Sequence, residues 1–133
     1  MLTITLPWPP SRLSPNRRQH WAQLAGAKKK YRAACAIAVA EQKVKAPTWQ
    51  RIDVLMTFVV PDRRSYDRDN LSARMKAGLD GVCDALGFDD KRFVRVAIEV
   101  AETMTPSKEA ACVIVTMREQ EIGTRPRPSH MES

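Results

Sequence analysis

At 133 residues the chain has the length of one domain with a single ordinary core, and its 44% hydrophobic content excludes a disordered body. No apolar run approaches membrane-spanning length, and a start that holds three prolines by Pro10 is not the core of a signal peptide, so a cytoplasmic protein with no membrane partner is expected. The formal net charge of +7 is unevenly placed: residues 1–40 hold seven bases and no acid, while the remainder carries fifteen of each. That asymmetry points to a polyanionic partner, most simply nucleic acid, although a solvated basic helix face accounts for the same charges.

In chain order, residues 2–6 form a short strand ended by Pro7. Pro7, Pro9 and Pro10 impose a stiff turn around Trp8. Ser14 and Pro15 read as N-cap and first residue of a long helix reaching about Val44. Trp21, Leu24, Tyr31, Cys35 and Ala38 would give it an inner face, with Lys28, Lys29 and Lys30 outside and Gly26 loosening its middle. Pro47 closes this unit. Residues 51–60 alternate Ile52, Val54, Met56, Phe58 and Val60 on one face, a strand stopped by Pro61. Residues 93–101 and 110–117 are two further strands, joined through 103–108 by a hairpin-like loop. From 119 onward the tail is polar with Pro126 and Pro128 and is expected to be disordered, leaving 1–118 as the domain. Cys35, Cys83 and Cys112 are odd in number, sit in apolar segments and read as reduced, buried thiols. The order β-α-β-α-β-β predicts an α+β fold, a mixed sheet of about four strands with two helices packed on it.

Residues 67–90, DRDNLSARMKAGLDGVCDALGFDD, form the segment around which the rest is organised. Leu71, Met75, Leu79, Val82 and Leu86 recur at helical spacing and predict a helix over 70–86. Asp67 and Asp69, joined by Asn70, are good residues for its start, and Gly87 is a suitable stop. Asp89 and Asp90 follow at once. Asp69, Lys76, Asp80 and Asp84 fall well away from the apolar stripe. Clustered carboxylates bind hard divalent cations, and Mg²⁺ is the usual partner for phosphodiester substrates. Taken alone, Asp67 and Asp69 read more simply as a helix cap, and Asp89 and Asp90 as a turn. An EF-hand is excluded, because its Gly and Glu positions hold Ser72 and Gly78. Zinc is not expected: His20 and His130 are isolated, and no Cys pair has ligand spacing.

The run D-x-D-N-L, then a lysine, then L-D-G and L-G-x-D-D resembles the RusA family of endodeoxyribonucleases, the Holliday-junction resolvases common in phages and prophages. The opening ITLPWPPSRLSPNRRQHW is similar to that family's N-terminus, with its P-P-S and N-R elements. The likeness runs over residues 2–117. It implies a homodimeric, Mg²⁺-dependent (or Mn²⁺-dependent) endonuclease of a bacterial host or prophage, resolving four-way DNA junctions by paired nicking. It implies Asp67, Asp69, Asp89 and Asp90 as metal ligands, with Asp67, Asp69, Asp90 and Lys76 catalytic. In the family's best-known members a lysine lies one turn after the second Asp. That position is Ala73 here, so Lys76 and Arg74 compete for the role. Asn70, Asp80 and Asp84 would support the ligands. Arg17, Arg18, Arg63, Arg64, Arg68 and Lys28 to Lys30 are the candidate phosphate contacts. Trp8, Tyr66 and Phe88 are candidates to stack at a branch point, although for Trp8 core packing is the favoured role.

Two other classes remain open: a catalytically silent basic dimer that recognises branched DNA, and a phosphatase for small esters, against which the basic first third argues. A 70–86 helix is about 25 Å long, too long for one ion to gather the acids at both ends. Antiparallel packing of two copies would solve this, with Gly78, Gly81 and Ala85 permitting close approach. A shorter or kinked helix would instead close the site within one chain.

Overall fold

The computed structural model describes residues 1–15, 18, 20–62, 65–101 and 110–120. The elements are β1 (Leu2–Pro7), α1 (Trp21–Gln42), β2 (Ile52–Val59), α2 (Arg68–Leu86), β3 (Phe93–Val100) and β4 (Cys112–Glu119). The α+β architecture follows the order expected from the sequence. The four strands form one sheet in the order β1-β4-β2-β3. The last strand pairs antiparallel with both β1 and β2, while β2 and β3 run parallel. A parallel pair needs a long crossover, and α2 supplies it.

Period-two alternation puts Ile4 and Leu6 of β1, Val54, Met56 and Phe58 of β2, and Val113, Val115 and Met117 of β4 into the core. Both helices contribute to that core, through Tyr31, Cys35 and Val39 of α1 and Leu71, Met75, Val82 and Leu86 of α2. The opposite sheet face is open, with Asp53, Leu55, Thr57, Ile114 and Thr116 half-buried. The free edge of β1 is covered at Thr5. The side-chain amide of Gln42 accepts from the Thr5 N–H at 2.8 Å and donates to its carbonyl at 2.7 Å, as a neighbouring strand would.

Three expectations are corrected. The first helix starts at Trp21, not at Ser14-Pro15. Ser14 instead closes a short 3-10 turn over Ser11–Leu13, and its hydroxyl accepts from the Asn70 side-chain amide at 2.6 Å. The N-cap of the first helix is His20, its Nδ1 accepting from the Ala22 N–H. Trp21 is 75% exposed rather than on the inner face, which instead runs through Tyr31, Cys35 and Val39. The last two strands are not a hairpin, because β2 and β4 are the neighbours and β3 takes the far edge beyond β2. Residues 103–108 lie outside the described residues. The final strand runs through Glu119, and Gln120 donates its backbone N–H to Arg51; the tail from 121 also lies outside them.

Candidate functional site: the carboxylate stripe of the second helix

The second helix is set by local chemistry at both ends. Asp67 is its N-cap, with Oδ1 accepting from the backbone N–H groups of Asp69 at 2.8 Å and Asn70 at 3.3 Å. Gly87 ends it in the left-handed conformation, φ +78°, where a side chain would be strained. Asp89 then caps a second 3-10 turn, Asp90–Arg92, accepting from the Lys91 N–H at 2.9 Å. The helix is unbroken over nineteen residues. At 1.5 Å per residue it is about 28 Å long. One chain therefore does not gather Asp67 and Asp69 with Asp89 and Asp90, and the kinked-helix alternative falls.

Its inward face meets α1 closely. A Cβ on Gly78 would lie 2.8 Å from the Tyr31 ring, and one on Gly81 would lie 2.2 Å from the Arg32 carbonyl oxygen. The two glycines, expected between two copies of the chain, are thus spent on contact within one. Arg74 is also turned inward. It is 9% exposed, donates from Nη2 to the Pro9 carbonyl and lies 5.8 Å from the Trp8 ring centroid. Lys76, by contrast, is exposed.

Outward, residues three and four apart align as Asp69, Ala73, Lys76, Asp80 and Asp84. Arg32 of α1 binds Asp84 bidentately, at 2.6 and 2.8 Å, and lies 4.0 Å from Asp80. That pairing holds the Asp84 carboxyl below the usual carboxylate range, so Asp84 ties the helices together. The next acid behaves oppositely. The Asp90 carboxyl is pushed up, first by a hydrogen bond shared with Asp89, then by desolvation and by the charges of Asp89 and Asp80; Lys76 draws it partly back. Asp89 is lowered, chiefly by the Lys91 N–H. Beneath the same cluster, burial and then the charges of Asp90, Asp80, Asp84 and Asp89 push the Cys83 thiol up to about 12. Asp89, Asp80 and Lys76 thus all act on the Asp90 carboxyl. Between the helices a groove of 260 Å³ opens along this stripe, lined by Lys28, Arg32, Arg74 and Lys76 and a single acid, Asp80.

Other expected residues fall as follows. Lys28, Lys29, Lys30, Arg18 and Arg68 are exposed, and Arg17, Arg63 and Arg64 lie outside the described residues. Trp8 packs edge-on against Phe58 and Tyr66, at 5.8 and 5.7 Å between centroids, and Phe88 packs likewise on Phe93. Among the described residues no group of three His, Cys, Asp or Glu side chains is placed to hold a metal ion. Each end of α2 presents a pair of exposed aspartates, Asp67 with Asp69 and Asp89 with Asp90. Sequence reasoning missed Arg32 as a clamp and Arg74 as a buried strut. The one signal was that Arg74 sits between Leu71 and Met75 on the apolar side.

No helix among the described residues is long and apolar enough to cross a membrane. No family model matches the chain. The chain is similar to an uncharacterized protein of Xylella fastidiosa (strain Temecula1), with 40% identity over 97 residues. The match covers 71% of this chain and 63% of that protein, so the chain spans under two thirds of that relative's length.

Proposed function

We propose that the chain is a Mg²⁺-dependent endonuclease acting on branched DNA, four-way junctions above all, as its likeness to RusA implies. The observation that carries the reading is the placing of Asp80 and Lys76 along a groove whose other charged residues are all cations, with the exposed pair Asp89 and Asp90 just past the helix end. The Asp90 carboxyl, pushed up by its neighbours Asp89 and Asp80, is under a repulsion that a divalent cation relieves. Asp90 and Asp89 would hold the ion, with Asp80 beside them, and Mg²⁺ when bound supplies Lewis acidity toward the scissile phosphate. Lys76 directs its ammonium at the non-bridging phosphate oxygens and offsets the charge that grows in the transition state. Lys28 docks the flanking backbone, while Arg32, clamped by Asp84, keeps the groove walls at fixed separation.

Asp67 and Asp69 join this site only from a second copy of the chain whose α2 runs antiparallel. Both acids are exposed at the helix start, and Asp69 lies on the outward stripe. The close approach must then use that stripe, since Gly78 and Gly81 face α1.

The test is nicking of a four-way junction in Mg²⁺. Asp69→Asn and Asp90→Asn should each lose at least about a hundredfold in rate while junction binding in EDTA survives. Mixing the two variants should restore single-strand nicking, because a heterodimer then has one intact site. Near-wild-type nicking by either variant would sink the site. Heterodimers that form without recovering activity would sink sharing between chains. A wild-type protein that binds junctions without cutting them would be the silent DNA-binding dimer.

A further inference from the structure

A second groove, of 670 Å³, runs along a different stripe of α1, between that helix and the proline-rich turn after β1. On the helix side it is lined by Gln23, Gly26, Lys30 and Tyr31, and on the turn side by Pro7, Trp8, Pro10 and Arg12. The volume falls within the few hundred to about a thousand Å³ of clefts that hold small ligands. No acid lines it, and a base stands on each bank, Arg12 and Lys30. Its accessible apolar surface is the half-buried Trp8 indole and two exposed prolines, Pro7 and Pro10, while the Tyr31 ring behind them belongs to the core.

Gly26 adds an independent observation. A glycine in a helix interior weakens the helix, and Gly78 and Gly81 are explained by what a Cβ would strike. Gly26 is not, for a Cβ there would meet nothing within 4 Å. The chain's own packing does not require it. Its lack of a side chain keeps this wall of the groove open.

We infer that this groove binds single-stranded nucleic acid, with a base against the Trp8 indole and the exposed prolines and the phosphates against Arg12 and Lys30. An aromatic surface between cations suits a base and its phosphate together, and such stacking tolerates any sequence. An acidic peptide would use the cations but leave the indole idle. The inference rests on reading the chain as a DNA-binding protein, not on its cutting DNA. The groove would then hold an unpaired strand at a branch point while the α2 stripe faces the duplex.

The test is fluorescence anisotropy of a labelled oligothymidylate about twelve nucleotides long, in EDTA, at several salt concentrations. Wild type should bind it, and Gly26→Leu, which fills the groove while improving helix propensity, should bind at least tenfold more weakly with no fall in Tm. Lys30→Ala should flatten the log–log salt slope by about 0.7, the value for one phosphate contact on a single strand. No binding by wild type, or equal binding by Gly26→Leu, overturns the proposal. Polyglutamate of equal length competing as well as unlabelled oligothymidylate also overturns it, since charge alone would then suffice. Junction nicking in Mg²⁺ is measured alongside. Nicking without oligothymidylate binding sinks the groove alone; binding without nicking supports the groove and sinks the nuclease reading.

Discussion

The two faces of α2 are built by opposite rules. Inward, Leu71, Arg74, Met75, Gly78, Gly81 and Val82 are all buried, and each identity is explained by what it touches. A larger residue at either glycine would strike α1, and the Arg74 guanidinium reaches the backbone of the proline-rich turn. Outward, Asp69, Lys76, Asp80 and Asp84 are exposed or half-buried; among the described residues Asp84 is bound by Arg32, and Asp80 lies 4.0 Å from the same guanidinium. Folding therefore accounts for the inward face almost completely and for the outward face hardly at all. Charges that a fold does not need, lined up on one stripe of a helix, are where function is sought.

That contrast is open to experiment. Substitutions on the outward face should remove activity and spare stability, whereas the inward face should do the reverse. The largest effect is expected at Lys76. Lys76→Met should cut junction nicking by about a hundredfold, the usual loss of one transition-state charge contact, with Tm unchanged. Unchanged nicking would make Lys76 an ordinary solvated lysine and leave the stripe without its cation.

Next comes the inward face. Gly81→Val should cost about 3 kcal/mol in urea unfolding, because its Cβ overlaps the Arg32 carbonyl and backbone cannot yield cheaply. The same kind of change at Gly26 should have the opposite sign. Gly26→Ala meets nothing and should gain about 1 kcal/mol of helix propensity. Equal effects at the two glycines would mean that α1 and α2 do not approach as described.

The smallest effects concern pH. The folded-state pKa of Asp90 is raised, so its contribution to stability is present at low pH and lost as pH rises through that pKa. Asp90→Asn should therefore match wild type near about pH 3 and melt higher near about pH 7. Adding Mg²⁺ should raise the wild-type Tm and leave that of the variant nearly unmoved. Asp84 has the reverse sign. Its pKa is lowered by Arg32, so its contribution is present above the ordinary carboxylate range and lost as pH falls through the lowered value. Asp84→Asn should melt lower than wild type at neutral pH and converge with it in acid. Both carboxyls are exposed, so the shifts will be small and will shrink with salt. Identical pH profiles for the two variants would erase the distinction between a paired acid and a crowded one.

Much of this was legible in the chain because it is local. Strand alternation at Ile52, Val54, Met56 and Phe58, the Asp67 cap and the Gly87 stop each depend on residues a few positions apart. The stripe of Asp69, Lys76, Asp80 and Asp84 follows from helical pitch alone. What distant partners decide could not be read that way. Ser14 looked like a cap until Asn70, 56 residues on, claimed its hydroxyl. Arg32 and Asp84 are 52 residues apart, and Arg74 and Pro9 are 65 apart. The glycines of α2 signalled close approach correctly, but a glycine does not name the surface that approaches it. Likewise β3 and β4 are consecutive in sequence, yet β2 lies between them in the sheet, because β2 pairs with both. Pitch, capping and charge are properties of short segments. Which segments meet depends on how one core buries every apolar face at once, and only the tertiary structure decides that.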